Sequence, residues 1–248
     1  MKILFLTFLD RKYGGNKKEI VIMEELNYSF EEERQQIVDM SLKLYREHLI
    51  VGTWGNLSMR VSRSGKEYFV VTPSGMEYED TTIEDVLVMD KDGNVVQGSR
   101  KPTSELRMHM KIYEERSEIN AIIHTHSTFA TACAVVGIGI PMMVEDMIQH
   151  IGGNVRIAKY ALPGTEELAE NVCHAIEDRK AVLLKNHGAL GMGENMKAAY
   201  KSCVLAEKSA QILVYAKNLG HINLISAEDA EQMVDYYKNQ YGQQNSAK

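Results

Sequence analysis

Two apolar runs, Ala121-Ile122-Ile123 and Ala181-Val182-Leu183-Leu184, lead into histidine: His124-Thr125-His126 after the first, and Lys185-Asn186-His187-Gly188 after the second. Short apolar runs of this kind, closed by polar residues, read as buried strands. Side chains two apart in a strand share a face, so His124 and His126 can aim at one point. A lone His-x-His is more often coincidence than a ligand pair, and it is the second stretch of the same form that gives the first its weight. His187 at the end of a neighbouring strand, with Gly188 letting the backbone pass close, completes a set of three. Three histidines with one position left open form a standard catalytic zinc arrangement.

Ahead of the first histidine run lies Lys101-Pro102-Thr103-Ser104-Glu105. Thr103 or Ser104 is expected to cap a helix whose apolar positions are Leu106, Met110 and Tyr113. That places Glu105 in the first turn, beside unpaired amide donors. Two other turns have the same character, Gly55-Asn56-Leu57-Ser58 and Thr72-Pro73-Ser74-Gly75. Hydroxyls, a side-chain amide and free backbone N–H groups are neutral donors suited to a phosphate. Each turn alone is ordinary loop chemistry, and their interest lies in accompanying a candidate metal site.

Charge and composition narrow the function classes. The chain of 248 residues carries a formal net charge of -6. It shows no basic stripe with interleaved aromatics, so nucleic acid is not an expected partner. No transmembrane run is visible, so no membrane partner is expected either. An anionic substrate remains compatible, because a metal and helix N-termini create local positive potential. Cys133, Cys173 and Cys203 lie singly in apolar segments and read as reduced thiols, which points to the cytoplasm. The start Met1-Lys2-Ile3-Leu4-Phe5-Leu6 resembles a signal peptide only faintly. The apolar run is short, charged residues follow at once, and no small-residue cleavage site is present. Lys17-Lys18-Glu19 ahead of Met23 could instead be a translated ribosome-binding sequence. Residues 1–28 are therefore read as an extension, residues 1–22 as not belonging to the folded protein, and 29–248 as one domain.

Taken in order, Ser29 with Glu31, Glu32 and Glu33 caps a first amphipathic helix carrying Ile37, Met40, Ser41, Leu44, Tyr45 and His48 at helical spacing. Hairpins follow at Ser64-Gly65-Lys66 and Asp92-Gly93-Asn94. Helices are expected from Phe129 to Val136, after Thr165, from Asn195 to Leu219 with a stop at Gly220, and from about Ala227 to Tyr237. A short strand is expected over Val155 to Ala158. Strands joined by hairpins, without strict alternation with helices, predict an α/β chain with a mixed, mostly antiparallel central sheet flanked by helices.

These motifs together, GNLS at 55–58, TPSG at 72–75, KPTSE at 101–105, HTHS at 124–127, Pro163-Gly164-Thr165 and NHG at 186–188, resemble the class II aldolase/adducin-like family, nearest its fuculose-phosphate aldolase branch. The resemblance spans about Ser29 to Tyr241. It implies a three-layer fold and a lyase that splits a ketose 1-phosphate into dihydroxyacetone phosphate and a short aldehyde through a zinc-stabilised enediolate. It further implies His124, His126 and His187 as ligands to Zn2+, or to Mn2+ or Co2+ in its place. Glu105 would sit at the metal in the free enzyme and serve as acid/base. Gly55, Asn56, Ser74, Gly75, Thr103 and Ser104 would hold the substrate phosphate. A homotetramer with active sites between subunits is implied too, and Tyr241 falls where that branch has a functional tyrosine.

One departure stands out. After Ile140-Pro141 the branch has a proton-donating tyrosine, whereas this chain reads Met142-Met143-Val144-Glu145-Asp146. Glu145 or, as the preferred candidate, Asp146 would take over proton transfer, or the substrate differs. His150 is read as a non-metal histidine. Trp54-Gly55-Asn56 is similar to a turn of the ribulose-phosphate 4-epimerase branch, while the Glu105 position favours the aldolases. Epimerase, dehydratase and decarboxylase chemistry on the same metal, and a non-catalytic adducin-like scaffold, are the competing expectations.

Overall fold

A computed structural model describes residues 28–241. The expected extension, apart from Tyr28, lies outside the described residues. Tyr28 itself belongs to the domain, since its carbonyl accepts from Gln97 Nε2 at 3.0 Å and its ring lies against Tyr68.

Eight strands form one sheet: β1 (Asn56–Arg63), β2 (Lys66–Val71), β3 (Leu87–Asp90), β4 (Val95–Gln97), β5 (Ala121–Thr125), β6 (Arg156–Ala158), β7 (Ala181–Leu184) and β8 (Gly188–Gly193). Their order is β4-β3-β2-β1-β5-β8-β7-β6. Every pairing is antiparallel except β6 with β7 at one edge. The mixed, mostly antiparallel sheet expected from the hairpins is therefore present.

Helices are α1 (Glu31–Arg46), α2 (Leu106–Glu115), α3 (Thr128–Val136), α4 (Glu145–Ile151), α5 (Glu166–Ile176), α6 (Met196–Leu219) and α7 (Ala227–Asn239). They cover both faces. Phe69, Val71, Ile122, Val182 and Leu184 pack with α2 and α5 on one side. Their strand neighbours Tyr68, Val70, Ala121 and Ile123 pack with α1 and α6 on the other, where Ala181 and Leu183 meet α3, α4 and α6. A sheet buried on both faces needs apolar side chains at successive positions, which is why its central strands read as continuous apolar runs rather than alternating ones. None of the described helices is long and apolar enough to cross a membrane.

Several local expectations shift. Thr165 and Asn195 cap their helices, accepting from Leu168 N and Ala198 N, as expected. At α1 the N-cap position falls on Phe30, and Ser29 Oγ accepts from Glu31 N. His48 lies beyond the helix at φ 59°. The buried face of α2 is Met108, His109, Ile112 and Tyr113, rather than a stripe through Leu106 and Met110, which are only partly buried. Helix α4 and strand β8 have no counterpart in the sequence reading. Strand β8, GALGMG, hides its nature through its glycines, which a packed strand ordinarily lacks. Here they are a packing requirement. A Cβ on Gly191 would lie 2.4 Å from Cys203 Sγ, and one on Gly193 2.5 Å from Ala198 Cβ, so α6 lies almost directly on the β8 backbone.

Candidate metal centre

Strand register builds the site. In the β1–β5 ladder Asn56 pairs with His124 and Ser58 with Ile122. Cross-strand partners share a face, so Asn56 and His124 stand side by side under the start of α2. His126 follows in the segment leading to α3. His187 comes from the short β7–β8 connection, where Leu184 pairs with Gly188 and Asn186 takes φ 58°. The close backbone passage expected at Gly188 is real, since a Cβ there would lie 2.3 Å from Thr125 O and 3.2 Å from His124 Cε1.

The three ring nitrogens meet. His124 Nε2 lies 2.9 Å from His126 Nε2 and 3.2 Å from His187 Nε2. His124 Nδ1 is 3.0 Å from the Ala189 carbonyl oxygen. A carbonyl only accepts, so Nδ1 carries a hydrogen and Nε2 is the nitrogen turned toward the other two rings. Glu105 closes the group, with Oε2 3.2 Å from His124 Nε2 and Oε1 3.6 Å from His187 Nε2. Three imidazole nitrogens facing one another cannot all be satisfied by shared hydrogens. A cation accepting their lone pairs satisfies them together, and the donor set fits a divalent metal.

Electrostatics agree with the geometry. Burial, then the neighbouring His124 and His187, lowers His126 to about 3. Burial and His124 lower His187 to about 4. Both rings are neutral at ordinary pH, the state in which an imidazole can bind a metal. Burial alone would raise the Glu105 carboxyl, but His124, His187 and the Asn56 amide outweigh it and hold it below its usual value. One carboxylate and three imidazole nitrogens therefore face a common point.

The supporting shell separates the sequence-predicted residues into two groups. Asn56 Nδ2 donates to Glu105 Oε2 at 2.8 Å, and Thr103 Oγ1 accepts from Glu105 N at 3.3 Å. Both are buried; Asn56 holds the carboxylate and Thr103 holds the backbone that carries it. Glu105 itself is the N-cap residue of α2, not a member of its first turn. Ser74, Gly75 and Ser104 are exposed. Their turns are joined by the Pro73–Pro102 bridge and by Ser74 N donating to Lys101 O at 2.9 Å. The Gly55-Asn56 turn lies beside them, with Leu57 N donating to Thr72 Oγ1 at 3.1 Å. All three hydroxyl-rich turns thus collect at one edge of the site.

Tyr241 and Asp146 have other partners within the chain. Tyr241 is exposed and stacks on Tyr237, whose ring meets His150 edge-on. Asp146 Oδ2 accepts from Lys208 Nζ at 2.5 Å. Glu145 is exposed at the start of α4. His150 binds Ala198 O and Ser202 Oγ, both at 3.1 Å, and is not among the clustered histidines.

Three residues escaped the sequence reading. Tyr78, buried, donates from its hydroxyl to Gly55 O at 2.6 Å, and burial with nearby Glu105 raises its pKa. Glu207 of α6 accepts from Phe129 N at 2.9 Å and Ala130 N at 2.7 Å, anchoring α3 just after His126. His109, fully buried one turn beyond Glu105, meets Ser58 Oγ at 2.7 Å, and Ser58 Oγ lies 2.8 Å from Tyr113 OH. Only the placement of His109 four residues after Glu105 on one helical face could have flagged it.

The family described as Class II Aldolase and Adducin N-terminal domain matches residues 35–214. The chain belongs to this family. Among curated relatives, this class II aldolase is 38% identical over 214 residues to a 5-deoxy-D-ribulose 1-phosphate aldolase of Bacillus thuringiensis serovar kurstaki, covering 86% of this chain and 99% of the relative. A 5-methylthioribulose-1-phosphate/5-deoxyribulose-1-phosphate aldolase of Rhodospirillum rubrum is 35% identical over 206 residues, covering 83% and 90%. Among solved structures, an L-fuculose 1-phosphate aldolase superposes with a TM-score of 0.79 at 40% identity, covering 83% of this chain and 95% of that one. The class II aldolase described here is accordingly an aldehyde-lyase, and its three-layer architecture is that of the family.

Proposed function

We propose that the enzyme cleaves a ketose 1-phosphate, of the L-fuculose 1-phosphate or 5-deoxyribulose 1-phosphate type, between C3 and C4 to give dihydroxyacetone phosphate and a short aldehyde. The observation that carries this reading is the meeting of three histidine Nε2 atoms and the Glu105 carboxylate beside three hydroxyl-rich turns. His124, His126 and His187 would hold the metal, with Glu105 completing the set before substrate arrives. Zinc suits this nitrogen-rich set, and manganese or cobalt could serve it as well. When bound, the metal supplies Lewis-acid stabilisation of the negative charge that the enediolate places on its two oxygens.

The chain's own groups do the rest. Glu105 Oε2 is fixed by Asn56, while Oε1 has no hydrogen-bond partner. Oε1 is therefore the atom assigned to take up a proton from solvent once substrate has displaced the carboxylate and to pass it to substrate C3 after the C3–C4 bond breaks. Ser74, Gly75 and Ser104 face the phosphate, and Gly55, Asn56 and Thr103 build the floor beneath it. The C4 hydroxyl must lose its proton as the aldehyde forms. Asp146 and Tyr241 are the candidates, each supplied from a neighbouring subunit of a homotetramer, because within one chain they are held by Lys208 and Tyr237. Free, buried Cys133, Cys173 and Cys203 support a cytoplasmic location.

Release of dihydroxyacetone phosphate from a panel of ketose 1-phosphates, with and without chelator, tests the reading. Chelator-sensitive release that Glu105→Gln abolishes is expected. Absence of release from every member by metal-loaded protein would sink it and turn attention to epimerisation, dehydration or decarboxylation.

A further inference from the structure

Trp54 is the single tryptophan of the chain, and it is 63% exposed beside the metal centre. Its ring centroid lies 5.9 Å from that of His126, with the planes at 37°. The turn beneath it is fixed at both ends. Trp54 N donates to Val51 O at 3.0 Å, and Val51 and Trp54 form an isolated bridge. Gly55 takes φ 95°, and a Cβ there would lie 2.8 Å from His124 O and 2.7 Å from Ile50 Cγ2. The backbone just after the indole therefore packs directly against the strand edge at His124. Val51, in the same bridge, is 61% exposed and adds an aliphatic side chain.

Glu105 reaches His124 and His187, whereas Trp54 approaches His126, so carboxylate and indole address different members of the histidine triangle. A phosphate dianion set against an indole and a valine would lose hydration and find one N–H at most. An uncharged, partly apolar group set there removes hydrocarbon surface from water on both sides.

We infer that Trp54, with Val51, is the contact surface for the aldehyde-forming end of the substrate and selects ketose 1-phosphates whose far end is an apolar group, a methyl or thioether, over those ending in hydroxymethyl. The inference rests on the aldolase reading proposed above and adds to it the specificity-determining residue. Loss of the indole should remove the preference and leave the bond-breaking groups in place.

The test uses two ketopentose 1-phosphates of one configuration that differ only in a methyl or hydroxymethyl end, with metal-loaded wild type, Trp54→Ala and Trp54→Phe. Wild type is expected to favour the methyl-ended compound by about tenfold in kcat/KM, the scale of one apolar group in a fitted pocket. Trp54→Ala should cut that ratio by about fivefold or more, and Trp54→Phe should keep most of it. A readout free of turnover comes from the matching pentitol 1-phosphates, which lack the carbonyl and are not cleaved. The single-tryptophan emission should move to shorter wavelength with the methyl-ended alcohol and less with its hydroxymethyl counterpart. Cleavage with a ratio that Trp54→Ala leaves unmoved, and no emission shift, overturns the role of Trp54 and spares the aldolase reading. Cleavage of neither compound, nor of any other ketose 1-phosphate, overturns both.

Discussion

The Asn56 side-chain amide donates to Glu105 Oε2 at 2.8 Å, and the next inward residue of β1, Ser58, meets His109, the residue one helical turn beyond Glu105. Two residues along a strand and four along a helix cover nearly the same distance, so β1 and α2 join through two polar rungs in register. The upper rung aims the carboxylate, and the lower one closes a buried polar group with Tyr113.

The two rungs should separate under mutation. Asn56→Leu removes the amide that orients Glu105, and kcat should fall by about a hundredfold, the scale of a catalytic group misplaced by about 1 Å. Ser58→Ala strands His109 Nδ1 in the core and takes one of the partners of Tyr113 OH, and should cost about 1–3 kcal/mol of stability with a smaller effect on kcat. Thermal denaturation beside steady-state kinetics checks both, and a Ser58→Ala variant as stable as wild type would contradict the buried network.

Metal binding should require the whole histidine set. Wild type is expected to carry about one divalent ion per chain, the open three-histidine stoichiometry. His126→Ala and His187→Ala should each lose the ion after mild dialysis. Because a ligand that binds only the folded state stabilises it, chelation should lower the wild-type Tm and leave the Tm of these variants nearly unchanged. Elemental analysis with calorimetry before and after chelator decides the matter.

Gly188→Ala tests how far the fold sets the site. The added methyl would press on Thr125 O and His124 Cε1, and neither is a flexible end that can swing away. Overpacking of this kind costs about 1–3 kcal/mol. The same shift displaces His124, so weaker metal retention should accompany the lower Tm. A variant that loses stability but holds metal as wild type does would show that β5 and β8 move together.

This glycine was legible in the sequence because two apolar strands ended in histidine beside it, and a sheet covered on both faces writes its strands as unbroken apolar runs. The same logic fails for β8, where closeness to α6 demands Gly191 and Gly193 and removes the side chains that mark a strand. It fails again at α2. Thr103 and Ser104 both look like caps, yet Thr103 Oγ1 serves the Glu105 amide and Glu105 takes the N-cap place, which turns His109 inward. The grouping of the three turns was readable as chemistry. The division of labour among them was not, because only the fold shows that Asn56 faces Glu105 rather than open solvent.

Acid sensitivity should trace in part to His150, which lies far along β8 from the metal site, under Ser202, whose hydroxyl donates to Met192 O at 2.9 Å. Burial lowers its pKa to about 4, with Lys180 and Lys201 pushing the same way and the Ala198 carbonyl and Glu194 opposing. The Tyr237 ring closes one side without charge. An unfolded histidine titrates near about 6.5. Between those values the unfolded chain binds the extra proton, so the stability from this residue is complete above the upper value and declines as pH falls toward the lower one, by at most about 1.4 kcal/mol per pH unit. His150→Gln, whose amide can still donate to Ala198 O, removes the titration. Its stability should therefore change less steeply than wild type between pH 6.5 and 4 while the two converge in slope above pH 7, as urea unfolding across that range would show. Equal slopes throughout would mean that His150 titrates alike in the folded and unfolded chain and that its burial carries no penalty for charge.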